Sequence, residues 1–232
     1  IDIEAGISDQ EVDYLLKAFN SQFPTNILKR SDVLSTWAGV RPVIGAEKSK
    51  DPSKERRDHA VWSDNGLITV SGGKLTTFRL IALDALLAAK DNLPAAKEYH
   101  DDRMFLTPEV SAESLSPKNS SWGQRLLGRY GEKAIDLVNG SSPNEQNNLN
   151  ETEFSLAECL WAIKYEAVEH LDDLLLRRTR LGMCLSNGGT ELYPPLKEMF
   201  LNNLSWDEER WQKEVDRYEK IWKNHYSLPA QT

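Results

Sequence analysis

Apolar residues recur at helical spacing at the start of the chain, in SDQEVDYLLKAFNSQ, residues 8–22. Val12, Leu15, Leu16 and Phe19 fall on one face behind Ser8 or Asp9 as cap, with Glu11 as a first-turn acid, and predict an amphipathic helix. After Pro24 the pattern changes. DVLSTWAGVRPVIG, residues 32–45, mixes β-branched and aromatic residues with glycine and predicts a strand that meets a tight turn near Gly39. A hydrophilic loop, AEKSKDPSKERRD, follows. HAVWSDNGLITVSGG then predicts two short strands around Asp64-Asn65-Gly66, because Asn and Gly tolerate the positive φ of a hairpin turn. From Thr76 to about Lys90, TTFRLIALDALLAAK is rich in Leu and Ala, lacks Gly and Pro, and predicts a helix.

Beyond Pro94 strand signals fade and helical patterns take over: SWGQRLLGRYGEKAIDLVNG, SLAECLWAIKYEAVEHLDDLLLRRTRLGM, a segment around YPPLKEMFLNNL, and SWDEERWQKEVDRYEKIWKNHY. Two starts carry the spacing of a capping box, Ser155 with Glu158 and Ser205 with Glu208. In the last segment Trp211, Val215, Tyr218 and Trp222 step by four, three and four, an apolar stripe whose plain use is core packing. The polar tract 141–152 reads as a loop between helices. The expected organisation is an α+β portion over residues 1–105 and an all-α bundle over 106–232.

Composition narrows the function classes. With 232 residues and 40% apolar content the chain can bury a sizeable core. No apolar run reaches the roughly 18 residues of a membrane span. The start, IDIEAGISDQ, has neither a basic leader nor an apolar signal core, lacks methionine, and enters in mid-pattern, from which a piece cut from a longer protein is expected. A net charge of −8 argues against a general nucleic-acid binder, since backbone affinity comes from clustered cations. Cys159 and Cys184 show no CxxC spacing and no paired histidines, so buried structural thiols are expected and a metal site is not.

The stretch with chemical promise is SGGKLTTFRL, residues 71–80. A strand delivers the backbone to Gly72 and Gly73, which let another molecule approach closely. The helix that follows offers unpaired N–H groups and the positive end of its dipole, and Lys74 adds an ammonium. An anionic or electron-rich ligand is favoured there. A Walker A loop is excluded, because Ile68 stands where its first glycine belongs and Leu75 where its Ser or Thr belongs. No GxGxxG occurs at a strand-to-helix turn, so the dinucleotide fingerprint is absent from these residues. Arg41, stiffened by Pro42, and the pair Arg56 and Arg57 add guanidinium groups suited to phosphate or carboxylate.

Together STWAGVRPVI, RRDHAV and GLITVSGGKLTTFRLIA resemble the C-terminal half of the flavin domain of FAD-dependent, aerobic respiratory glycerol-3-phosphate dehydrogenase. YLLKAFNSQFP and EAVEHLDDLLLRRTRLGM are similar to the same family, the latter to its C-terminal helical domain. The resemblance implies an incomplete flavin and substrate portion at residues 1–105 and the helical domain at 106–232. It implies that Gly72, Gly73, Lys74, Leu75 and Thr76, with Arg41, approach FAD. It also implies that Arg41, Lys74 and Arg57 contact the substrate, with Arg56 the alternative to Arg57. The reaction implied is oxidation of sn-glycerol 3-phosphate to dihydroxyacetone phosphate, with hydride passing to FAD and electrons to quinone. The parent is expected to attach peripherally to the inner face of the cytoplasmic membrane, to bind no nucleic acid, and to be a candidate homodimer. This chain alone is expected neither to retain FAD nor to turn over substrate. No base is assigned: His59 has suitable chemistry but no orienting neighbour in sequence, and His100, His170 and His225 stand alone.

Two other readings stay open. α-Glycerophosphate oxidase shares these motifs and passes electrons to oxygen. A non-catalytic helical interaction module is the rival of another class, suggested by the tryptophan-rich acidic end; under it Arg41 and Lys74 are dispensable.

Overall fold

The computed structural model describes residues 5–40, 58–93, 111–115, 120–149 and 152–229. It contains α1 (Asp9–Gln22), β1 (His59–Asp64), β2 (Leu67–Gly72), α2 (Phe78–Ala88), α3 (Ala112–Leu115), α4 (Ser120–Tyr130), α5 (Lys133–Asn139), α6 (Leu156–Tyr165), α7 (Leu181–Cys184), α8 (Tyr193–Asn203) and α9 (Glu208–His225). Short 3-10 turns occur at Arg30–Asp32, Leu75–Thr77, Lys90–Asn92 and Ser186–Leu192, and a π-helical turn at Asp173–Arg178. The α+β class with a helical second part, expected from the sequence, is what forms. The chain makes two compact units, one of residues 1–39 with 106–232 and one of residues 40–105. Residues 1–39 therefore group with the helices, where the sequence places them with the sheet.

The helical unit is organised by a leucine-rich core. Leu171, Leu174, Leu175, Leu181, Leu196, Phe200 and Tyr218 are fully buried, and Trp211 and Val215 join them from α9. The apolar stripe of α9 is thus core packing, with Trp222 at its margin, where its indole N–H donates to the Gly182 carbonyl at 2.8 Å. Tyr218 reaches the same region, its hydroxyl donating to the Gly188 carbonyl at 2.6 Å. A β-carbon on Gly182 would run into that hydroxyl, so glycine is required by close approach. A second cluster gathers Trp122, Leu126, Ala134, Leu137 and Ala157.

Three local expectations need correction. Residues 33–40 form no strand among the described residues; Thr36 bonds instead to the end of α9, its N–H donating to the Tyr226 carbonyl at 2.7 Å and its Oγ1 to Ser227 O at 3.0 Å, and Ser35 Oγ donates to the Met183 carbonyl at 2.8 Å. The residues have strand propensity, but among the described residues no strand pairs with them. The cap of α9 is Asp207, not Ser205: its carboxylate accepts from Arg210 N–H at 2.8 Å, because the helix starts two residues later than the Ser205 spacing implies. The run 171–178 is not a regular α-helix. Its π turn buries the successive Leu174, Leu175 and Leu176, which one face of a 3.6-residue helix does not do.

By contrast, the capping box at Ser155 with Glu158 forms as the spacing predicts, and at α1 Ser8, one of two cap candidates, takes the cap, with the Glu11 carboxylate accepting from its N–H at 2.8 Å. Within the polar tract Asn150 and Glu151 lie outside the described residues; 141–149 is a series of turns ending in a bridge from Asn148 to Ser155, and Thr152 bonds back to Leu149.

Candidate functional site

β1 and β2 pair antiparallel, His59 opposite Gly72 and Asp64 opposite Leu67. The two-residue turn between them places Asn65 at φ 47° and Gly66 at φ 84°, the left-handed pair that suits the right-handed twist of a hairpin. β2 then ends in a second left-handed pair, Gly72 at φ 79° and Gly73 at φ 85°. A β-carbon on Gly73 would strike the Ile81 side chain of α2 and lie 3.3 Å from His59 Cβ, so this turn packs directly on the helix and the strand.

Lys74 is the residue before the 3-10 turn Leu75–Thr77, which runs straight into α2. Thr77 closes the turn on itself: Lys74 N–H donates to Thr77 Oγ1 at 3.3 Å, and that hydroxyl donates to the Lys74 carbonyl at 3.0 Å. The two threonines of the motif therefore differ. Thr77 is half-buried and serves the turn, whereas Thr76 is exposed. The first N–H groups of the helical segment, on Leu75 and Thr76, have no acceptor within the helix. Leu75 is 87% exposed, and Gly72 and Lys74 are also exposed.

Five of the candidate residues, Gly72 to Thr76, are thus contiguous on one accessible corner. Arg41, Arg56 and Arg57 lie outside the described residues, as do the polar loop 46–57 and His100. A partner for His59 was missed by reading the sequence: Asp84 of α2, with Nε2 and Oδ2 at 2.6 Å. Twenty-five positions separate the two, and only the packing of α2 on β1 brings them together.

The helical unit holds its charges as structural pairs. Glu158 is fully buried, ion-paired with Arg125, and accepts from Ser155 N–H at 3.0 Å. Asp172, also buried, is bridged by Arg177 and Arg217. Burial pushes its carboxyl up, but hydrogen bonds from these two guanidinium groups outweigh it and hold it below the ordinary value. His170, solitary in sequence, contacts Glu214 at 2.9 Å, and Arg210 reaches the same carboxylate at 2.7 Å. Burial, with the Glu158 charge, pushes the Cys159 thiol up. Cys184 is exposed, contrary to the expected burial of both thiols. Among the described residues no cluster of His, Cys, Asp or Glu could hold a metal. An open apolar groove of about 360 Å³ between α1 and residues 28–37 carries no charged side chain.

Residues 96–211 match the family model described as the C-terminal domain of alpha-glycerophosphate oxidase. The chain is 28% identical over 232 residues to the mitochondrial glycerol-3-phosphate dehydrogenase of Macaca fascicularis, covering 92% of this chain and 32% of that protein. The Homo sapiens mitochondrial enzyme gives the same identity and coverage. Similarity to the aerobic glycerol-3-phosphate dehydrogenase of Staphylococcus epidermidis is 32% over 196 residues, 74% of this chain and 34% of that protein. The chain spans about a third of the length of these curated relatives. No solved structure matches it.

Proposed function

The chain belongs to the family defined by the C-terminal domain of alpha-glycerophosphate oxidase, and from that membership we propose that it is part of an FAD-dependent oxidoreductase that converts sn-glycerol 3-phosphate to dihydroxyacetone phosphate. The observation that carries the reading is the corner Gly72–Thr76: two left-handed glycines, an exposed lysine and a helix start, contiguous and accessible.

The residues present suit one edge of a flavin. Gly73 lets the turn lie close on α2, and Gly72, exposed and without a β-carbon, leaves the backbone open to a flat ring. Lys74 and the uncommitted N–H groups of Leu75 and Thr76 favour negative charge arriving there. FAD, when bound, supplies the two-electron acceptor. The phosphate of the substrate calls for further cations, and Arg41 and Arg57, with Arg56 as the alternative, are proposed for that role. Because these residues contain no GxGxxG turn, the chain alone is proposed to lack stable FAD and turnover. Purified chain that comes out yellow, with a flavin spectrum, would refute that part.

Quinone is proposed as the acceptor, in keeping with relatives named dehydrogenases. The name of the family model favours a second reading, oxygen as acceptor with peroxide as product. Peripheral attachment to the inner face of the cytoplasmic membrane is part of the same proposal; among the described residues no helix is long and apolar enough to cross a membrane.

The test uses the complete polypeptide encoded by the gene, reconstituted with FAD. Glycerol 3-phosphate is expected to drive reduction of a quinone analogue faster than oxygen uptake. Lys74→Ala is expected to lower kcat/KM roughly 10- to 100-fold, the size of a lost charge-assisted hydrogen bond. Turnover unchanged by Lys74→Ala would instead favour the helical interaction module.

A further inference from the structure

Three contacts close a triangle at the corner that bears Lys74. His59 opens β1 and stands opposite Gly72 in the ladder, which ties strand to turn. Gly73 packs directly on the end of the Ile81 side chain of α2, where a β-carbon would displace it, which ties turn to helix. Asp84, three positions after Ile81 and so on the same helix face, meets His59 Nε2 at 2.6 Å, which ties helix back to strand.

We infer that His59 and Asp84 form a positioning clasp, which holds the Gly72–Gly73–Lys74 turn and the start of the helix in the arrangement that receives cofactor and substrate. The inference rests on the function proposed above. Asp84 is 55% exposed in its side chain, and ion pairs so open to water add little to global stability. The contribution of the pair is therefore to geometry, in fixing where the helix begins relative to β1. His59 Nε2 is committed to Asp84, which removes that nitrogen as a proton acceptor toward a ligand. His59 thus acts through the turn and not on the substrate. Small displacements of a positioning group matter in catalysis, about 100-fold for 1 Å.

The test has two arms. In the 232-residue chain, Asp84→Ala is expected to speed amide hydrogen exchange at Gly73, Lys74 and Leu75 by about five-fold, the scale of one lost exposed pair. Exchange at Val61 and Val70 in the ladder should stay unchanged. Asp84→Asn and His59→Gln, which keep a hydrogen bond across the gap, should exchange close to the unsubstituted rate. In the complete polypeptide, Asp84→Ala should lower kcat about ten-fold with KM nearly constant, and Asp84→Asn should restore most of it.

Unchanged exchange at the turn in Asp84→Ala overturns the clasp. So does loss of the hairpin's signals altogether, since the pair would then be a stability element. Equal impairment of Asp84→Ala and Asp84→Asn overturns it as well. Exchange that responds as expected, in a complete polypeptide that fails to oxidise glycerol 3-phosphate even without substitution, defeats the proposed function and the clasp's catalytic purpose, while the conformational clasp stands.

Discussion

The helical unit and the hairpin–helix unit treat apolar surface in opposite ways. In the first, leucines from the π turn, α7 and α8 and aromatics from α9 are closed off from water, and buried charges there have partners. In the second, none of residues 58–93 is buried, although α2 is almost wholly apolar in the sequence FRLIALDALLA. Phe78, Leu80 and Leu87 are half or more exposed. A helix apolar on all sides is ordinarily covered on more than one. The difference teaches where each unit's shape comes from: the helical unit from its own core, the hairpin–helix unit from turn chemistry and a few close contacts. The functional corner lies in the unit that relies on local geometry.

The largest expected effect that would sharpen this contrast comes from the core. Phe200→Ala should remove about 3–5 kcal/mol of unfolding free energy, as for other fully buried aromatics. Denaturant melts should show the loss in helical signal, while hydrogen exchange in β1 and β2 stays the same. A hairpin that loosens in parallel would break the contrast.

Asp172→Asn should act on the same unit with a smaller loss, about 2 kcal/mol, since its buried site keeps two guanidinium groups that are half in water. The pH dependence follows from the depressed carboxyl. Its contribution is complete above the unfolded value near pH 4 and fades as pH falls through the lower folded value. Melts between about pH 5 and 2 should therefore show an acid-dependent loss that Asp172→Asn lacks.

The smallest expected effect belongs to the hairpin. Gly66→Ala places a β-carbon at φ 84° and should cost the hairpin about 1 kcal/mol, read as faster exchange across the β1 and β2 ladder. The helical unit should not respond, and a shared response would show that the two units unfold together.

Legibility in the sequence followed the range of the interactions. Ser155 with Glu158 acts within one helical turn, and Asn65-Gly66 within one hairpin, so residue type and spacing were sufficient, whereas at α1 they left Ser8 and Asp9 both open as the cap. GGK at a helix start was likewise readable, and family membership supports the resemblance that gave it meaning. Residues 33–40 have the propensity of a strand but bond to the end of α9 instead, a partner nearly the whole chain away. His59 and Asp84, or His170 and Glu214, sit on separate elements, and no periodicity encodes such pairs. Cys159 lies buried within α6, whereas Cys184 stands exposed at the end of a four-residue helix, and residue type alone does not distinguish them. Ser205 had the right spacing for a box, yet Asp207 took the cap because both residue types suit it and the helix starts nearer Asp207.

The hydrogen bond from Thr36 to Tyr226 spans 190 positions. During synthesis Thr36 must therefore wait for about 190 further residues to leave the ribosome before the carbonyl it bonds at the end of α9 exists. Loop closure over such a distance is slow. Until then the Thr36 N–H and hydroxyl have only water to bond, and the segment lacks its anchor at the end of the last helix.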